Sequence, residues 1–253
     1  MQNITVVHSI VRMLPIILSI TTFFSTLSGG ITALKNEKWL HRIMGYTAGV
    51  LLGVVAFDLL PEIANEVNAT HTDFVRPMIA LVVAFLLFHI MEKTILLHHA
   101  HESEYGKHVH PRVGLASALA LSGHSFLDGV GIGLGFQAGK AVGISVAIAV
   151  IAHDFTDGMN TVILMLHNKN TNHRARIMLL IDAIAPVLGA ASTLLFSLDA
   201  KWLVLYLGFF AGFLLYIGAS DILPQAHSKE SSRITIGLTV LGAVFMFVVT
   251  RFA

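Results

Sequence analysis

The segments His124-Ser125-Phe126-Leu127-Asp128-Gly129 and His153-Asp154-Phe155-Thr156-Asp157-Gly158 repeat one pattern inside two long apolar runs. In each segment the histidine and the last aspartate stand at i and i+4, so they lie one above the other on one helix face. A charged side chain in hydrocarbon is costly unless it is compensated, and intramembrane charges usually mark ion paths. Two such helices facing each other would enclose a divalent cation between two imidazoles and two carboxylates.

The composition places the chain among membrane proteins. Its 253 residues are 55% hydrophobic and only 12% charged, which is more apolar surface than a soluble core can hide. The formal net charge of +1 gives no reason to propose nucleic acid as a partner. Cysteine is absent, so disulfides are excluded, and protein ligands to a metal must be nitrogen, oxygen or a methionine thioether.

Apolar runs close to the length needed to cross a bilayer predict an all-α protein with eight transmembrane helices. They lie near 8–34, 41–63, 75–98, 112–136, 140–166, 174–197, 201–223 and 233–252. We expect a single transmembrane domain over 1–253. Within it, 1–98 holds helices one to three, 99–111 is a His-rich loop, 112–166 holds the metal-binding pair, and 174–253 holds the last three helices.

The distribution of basic residues predicts that both termini are extracytoplasmic, because cytoplasmic loops carry an excess of Lys and Arg. With this orientation most basic residues are cytoplasmic, and the stretch after helix two carries Glu62, Glu66 and Asp73 before its first basic residue, Arg76. The basic residues assigned to the cytoplasmic side are Lys35, Lys38, Arg42, Lys93, Lys107, Arg112, Lys169, Arg174, Arg176, Lys229 and Arg233.

A short internal repeat accompanies these helices. Helix two is predicted to end in Asp58-Leu59-Leu60-Pro61-Glu62 and helix seven in Asp221-Ile222-Leu223-Pro224-Gln225. Each motif lies in the middle helix of a three-helix unit, which predicts two inverted repeats flanking the central pair, as in many secondary transporters. The alternative is two proline-terminated helix ends with a capping acid.

With these motifs the chain resembles the Zrt/Irt-like (ZIP) family of divalent metal transporters over essentially its whole length. The resemblance implies transport into the cytosol, a homodimer, and ligand positions at His124, Ser125, Asp128, His153, Asp154 and Asp157. Leu127 and Thr156 occupy the family's proline positions. Its helix-six acid before proline is replaced by Ala185 before Pro186, with Asp182 three residues earlier. Asp182 lies on roughly the same face and is a further ligand candidate, its alternative being a helix-packing role.

Imidazole and carboxylate without thiolate suit Zn²⁺ first, and also Fe²⁺, Mn²⁺ or Cd²⁺, as a transported substrate. No organic cofactor is expected. Flanking residues are relay candidates or, alternatively, helix caps: Asp58, Glu62, His89, Glu92 and Asp221. The loop histidines predict weak metal binding or simple solvation: His98, His99, His101, His108 and His110.

Three other interpretations of the central motifs remain open at the level of sequence. The side chains of a structural ion-pair network would follow the same pattern, although no Lys or Arg lies nearby in the sequence. A membrane-embedded zinc hydrolase would use the same ligands, but the chain has no HExxH motif. A channel would also need a polar path, and sequence does not separate it from a carrier.

Overall fold

A computed structural model describes residues 2–33, 40–103, 111–227 and 233–252. Helices and short connections account for all of these residues, and no strand occurs among them. The helices α1, α3, α4, α5 and α8 are single segments, respectively Gln2–Ala33, Val75–Ser103, Pro111–Ala138, Lys140–His167 and Arg233–Phe252. The other three consist of consecutive segments: α2 of Leu40–Val54, Val55–Leu59 and Leu60–Thr70; α6 of Asn172–Ser192 and Thr193–Leu195; and α7 of Ala200–Leu215, Tyr216–Ile222 and Leu223–Ala226.

The chain is therefore an all-helical membrane protein. Seven helices in the described residues are long and apolar enough to span a bilayer. The described apolar part of α3, Val75–Met91, is shorter than that. Large apolar side chains stay exposed along the helices, as lipid-facing residues do: examples are Ile79 on α3, Leu188 on α6 and Val240 on α8.

The helices group into two compact units that interleave along the sequence. Unit 1 comprises residues 1–37, 115–166 and 170–198, and unit 2 comprises residues 38–114, 167–169 and 199–253. Unit 1 thus holds α1, most of α4 and α5, and α6. Unit 2 holds α2, α3, α7 and α8.

The prediction that helix two ends at its Asp-x-x-Pro motif was wrong, because α2 continues through Pro61 to Thr70, whereas α7 ends at Ala226, one residue after its motif. A short π-helical segment precedes each proline, Val55–Leu59 in α2 and Tyr216–Ile222 in α7. The Leu60 N–H bonds to the Val55 carbonyl, and the Leu223 N–H to the Gly218 carbonyl. This i to i+5 pattern shifts the helical register, so the helix accommodates a residue that has no N–H to donate.

The predicted His-rich loop is also shorter than expected at its start. Helix α3 runs to Ser103, so His98, His99 and His101 belong to a helix, although their side-chain positions are not described. His108 and His110 lie outside the described residues. Pro111 opens α4, where the absence of an N–H costs nothing because the first-turn N–H groups have no helical partner.

Glycines set the helix spacing inside unit 2. A Cβ atom added to Gly49 of α2 would lie 1.9 Å from the carbonyl oxygen of Thr239 on α8. From α8, a Cβ on Gly242 would lie 2.2 Å from the Tyr46 carbonyl oxygen. Two backbones in direct contact are typical of membrane helices that associate through small residues.

We predict that Gly49→Ala lowers the thermal unfolding temperature of the detergent-solubilised protein, because the methyl group collides with backbone that cannot rotate away. The expected loss is about 2 kcal/mol, as for overpacked cores. Gly237→Ala on α8 is the matched control, since nothing lies within 4 Å of its added Cβ. Equal unfolding temperatures for the two variants would contradict the close contact between α2 and α8.

Candidate metal centre

The two central motifs converge within unit 1. His124 and Asp128 lie near the middle of α4, and His153 and Asp157 near the middle of α5, each helix being 28 residues long. One donor atom from each of the four side chains lies within 4.8 Å of the other three. We call these four residues the His/Asp cluster. The i, i+4 spacing predicted from sequence is what brings each histidine next to its aspartate.

In the His/Asp cluster, each of the two imidazole nitrogens lies close to both carboxylate oxygens. Asp128 Oδ2 lies 3.2 Å from His124 Nε2 and 3.3 Å from His153 Nε2. Asp157 Oδ2 lies 3.5 Å from His124 Nε2 and 3.7 Å from His153 Nε2. Two ligands bound tetrahedrally to zinc stand about 3.3 Å apart, given metal–ligand bonds of about 2.0–2.1 Å. Charge-assisted N–H···O bonds are shorter, about 2.7–2.9 Å.

The ring of His153 is oriented by the backbone of its own helix. Its Nδ1 lies 2.9 Å from the carbonyl oxygen of Ala149. A carbonyl only accepts hydrogen bonds, so Nδ1 carries a proton, and in its neutral form His153 presents the lone pair of Nε2 to the cluster. That lone pair faces Asp128 Oδ2, which is also an acceptor. A cation between them removes the conflict, and backbone support of this kind is the usual second shell of a metal-ligating histidine.

The cluster is shielded from solvent. His153 and Asp128 are fully buried, Asp157 is 5% exposed, and the His124 side chain is 15% exposed. Asp128 Oδ1, Asp154 Oδ1 and Asp157 Oδ2 are buried without a hydrogen-bond partner. Unsatisfied carboxylate oxygens in a buried site cost free energy, so their presence together indicates a site that a cation completes.

Each aspartate of the cluster is followed by a glycine against which another helix packs. A Cβ on Gly129 would lie 2.0 Å from the carbonyl oxygen of Pro186 on α6, and a Cβ on Gly158 would lie 2.0 Å from that of Thr26 on α1. Only glycine permits these approaches. The Asp-Gly pairs therefore let α6 and α1 close directly behind the two carboxylates. Gly133 of α4 also packs against Thr193 of α6, so Gly129 and Gly133 both serve close packing of these two helices.

Asp154 lies at the edge of the cluster. Its Oδ1 is 3.9 Å from His153 Nε2, and its Oδ2 accepts a hydrogen bond of 3.4 Å from Thr26 Oγ1 of α1. The side chain is fully buried. The role of Asp154 as a ligand stays a prediction, and the structure places it one step farther from the centre than the four cluster residues.

Ser125 and Asp182 are hydrogen-bonded to each other. Ser125 Oγ donates to Asp182 Oδ1 at 2.8 Å, and Thr161 Oγ1 donates to Asp182 Oδ2 at 2.8 Å. Both Ser125 and Asp182 are buried, and Asp182 is not one of the four residues whose donor atoms converge in the His/Asp cluster. Their ligand roles also remain predictions.

The relay candidates all lie in unit 2. Asp58 and Asp221 occupy the two π-helical segments, and the Gln225 amide donates to Asp221. Glu62 is half-buried in the first turn after the α2 π segment. The His89 ring stands edge-on to Tyr216 with 5.9 Å between ring centroids. Glu92 lies in α3, and its side chain is outside the described residues.

Sequence reasoning missed Thr161 and Thr26. Thr161 stands four residues after Asp157, so the same helical period that paired His153 with Asp157 also predicts its face. Thr26 has no comparable signal, because α1 carries hydroxyl residues at several positions and most bond only to their own helix.

Comparison with known proteins supports the geometry. A family model described as ZIP zinc transporter matches residues 107–250, which include all four residues of the His/Asp cluster. No curated protein matches the chain. Members of this family are transporters rather than enzymes, which removes the hydrolase interpretation. A buried site of two imidazoles and two carboxylates fits a divalent cation as transported substrate. The chain therefore belongs to the ZIP family of metal transporters.

Proposed function

We propose that the transported ion binds between His124, Asp128, His153 and Asp157, and that the site releases it toward the cytoplasm. The observation that carries this proposal is the alternation of imidazole and carboxylate atoms at 3.2–3.7 Å. These four separations are close to the distance of about 3.3 Å between neighbouring ligands of one zinc ion. All four donors lie in unit 1, so the shell stays intact if that unit moves as one body.

Zn²⁺ is the substrate that this ligand set favours, and Fe²⁺, Mn²⁺ and Cd²⁺ are the competitors to test. Two neutral imidazoles with two carboxylates make a site of borderline softness, whereas Mg²⁺ and Ca²⁺ prefer shells made of oxygen alone. Asp154 supplies a further oxygen within reach, because its Oδ1 has no hydrogen-bond partner. Exchange of one carboxylate for another would let the ion leave without losing its whole shell at once.

We propose a carrier that works by alternating access, in which the metal-bearing helices move as a rigid body. The inverted-repeat relation is part of this proposal, and the shared π segment before Pro61 and Pro224 supports it. Asp58 and Glu62 would serve the external mouth, and His89, Glu92 and Asp221 the cytoplasmic one. The remaining assignments are a homodimer in the cell (inner) membrane, extracytoplasmic termini and weak metal binding by the His-rich segment.

His124→Ala and Asp157→Ala are each expected to reduce Zn²⁺ uptake into proteoliposomes to the level of protein-free vesicles, because each removes one donor from a four-donor site. Uptake of radioactive ⁶⁵Zn²⁺ measures the effect. His173→Ala is the matched control, since His173 is an exposed histidine in the first turn of α6. Unchanged uptake in both cluster variants would exclude this site from the transport path.

Acidification should weaken metal binding by the wild-type protein. Histidine and aspartate bind a metal only when deprotonated, so protons compete with the ion and binding is lost as pH falls. A panel of Zn²⁺, Fe²⁺, Mn²⁺ and Cd²⁺ measured at pH 7.5 and pH 5.5 should show a higher KM at the lower pH for every transported ion. A KM that falls with acidification would argue against His and Asp as the ligands.

A carrier and a channel differ in the concentration dependence of uptake. We expect initial uptake rates to saturate with Zn²⁺ concentration and to rise steeply with temperature, because each ion waits for a conformational step. The measurement is the initial rate of uptake, obtained by stopping the reaction at short times, at increasing Zn²⁺ concentrations and at several temperatures. A rate that increases linearly with concentration and only weakly with temperature would indicate a channel.

A further inference from the structure

Asp182 differs from the other buried aspartates of unit 1 in how its oxygens are satisfied. Asp128, Asp154 and Asp157 each have a buried oxygen without a hydrogen-bond partner. Asp182 has both oxygens bonded, one by Ser125 Oγ and one by Thr161 Oγ1, each at 2.8 Å. These are normal lengths for a hydroxyl bonded to an acceptor oxygen. Both oxygens of Asp182 therefore accept a hydrogen bond, whereas each of the other three aspartates has one oxygen that does not.

The two hydroxyls come from the helices that carry the metal ligands. Ser125 directly follows His124 on α4, and Thr161 stands one turn after Asp157 on α5. Asp182 is on a third helix, α6, and is fully buried. One carboxylate thus links α4 to α5 beside the His/Asp cluster. We call Ser125, Asp182 and Thr161 the carboxylate bridge.

The local chemistry of α6 suits this linking role. Pro186 lies four residues after Asp182 and has no N–H, so the Asp182 carbonyl loses its regular helical donor. The backbone of α6 is fixed here instead by contact with α4. A Cβ on Gly189 would lie 2.1 Å from the Phe126 carbonyl oxygen, and Gly129 is equally close to Pro186. Helix α6 is therefore held against the motif of α4 at the level of the bridge.

We propose that the carboxylate bridge is a positioning device, in which Asp182 and Thr161 hold the two motifs in register without binding the ion. This inference rests on the proposed function of the His/Asp cluster as the transport site. Ligands in that cluster come from two separate helices, so a small shift of α5 relative to α4 widens the shell. Hydroxyl donors on both helices oppose that shift, with the strength of hydrogen bonds to a charged group.

Loss of the Thr161 hydroxyl distinguishes the two possible roles of Asp182, because positioning and direct ligation predict different changes in Zn²⁺ affinity. If Asp182 positions, Thr161→Val detaches α5 from the bridge and weakens Zn²⁺ binding. If Asp182 is a ligand, the same change frees one of its oxygens for the ion, and affinity is kept or increased. Valine has nearly the shape of threonine, so packing around residue 161 is retained.

The test measures Zn²⁺ binding by isothermal titration of the full-length protein in detergent, together with KM and maximal rate of uptake in proteoliposomes. Thr161→Val is expected to weaken binding about 10-fold and to raise KM similarly, as removal of a second-shell partner does. Thr161→Ser keeps the hydroxyl and should restore both values to within about 2-fold. A merely structural loss would reduce the amount of active protein, and so the maximal rate, without moving KM.

Thr22→Val is the matched control, because Thr22 is fully buried and its hydroxyl bonds to the Ser19 carbonyl of its own helix. It should leave KM unchanged. A double-mutant cycle gives the second measurement: in an Asp182→Asn background, Thr161→Val should add less than about 2-fold, because its partner is already altered. If Thr161→Val weakened Zn²⁺ binding as much in the Asp182→Asn background as in the wild-type protein, the bridge would be overturned.

Failure of the bridge is distinguishable from failure of the transport site. Wild-type affinity in Thr161→Val, together with lost binding in His124→Ala, would overturn the bridge and leave the site in place. Increased affinity in Thr161→Val would overturn positioning in favour of direct ligation. Unaltered binding in His124→Ala would remove the transport site itself, and the bridge with it.

Discussion

The structure of unit 1 depends on keeping carboxylates and imidazoles buried halfway along membrane-spanning helices. Ionised groups transferred from water into a medium of low dielectric constant lose their hydration, and the loss is repaid only by close partners of opposite charge or by a metal. The groups of opposite charge beside Asp128 and Asp157 are His124 and His153, which are charged only when protonated. A divalent cation bound in the cluster would replace those protons as the compensating charge.

Helix packing around the cluster follows from this constraint. Carboxylates can be kept away from lipid only if other helices close over them, and the glycine after each cluster aspartate makes that approach sterically possible. Gly129 admits the backbone of α6 and Gly158 admits that of α1. In each Asp-Gly pair the acid belongs to the His/Asp cluster, and the glycine lets a neighbouring helix pack directly behind it.

Helical periodicity explains how much could be predicted from sequence. Apolar runs predicted the helices, and the i, i+4 spacing predicted that His124 with Asp128 and His153 with Asp157 would share faces. Periodicity carries no information about which oxygen points where, so it did not separate Asp182 from the cluster. The sequence also placed the end of α2 near Pro61, because the π-helical register shift that lets the helix continue past this proline has no simple sequence signal.

Hydrogen-bond partners distinguish buried acids that their spacing in the sequence does not. Asp154 and Asp182 are both fully buried acids close to the motifs, and residue type gives no reason to assign them different roles. Their partners differ: one oxygen of Asp154 has none, while both oxygens of Asp182 have hydroxyl donors. A carboxylate oxygen has two lone pairs, so a hydroxyl donor does not bar a metal, but a buried oxygen without any partner gains more from binding one. This difference in hydrogen bonding is the physical basis for proposing that Asp182 positions the two motifs, while Asp154 keeps an oxygen that a metal could bind.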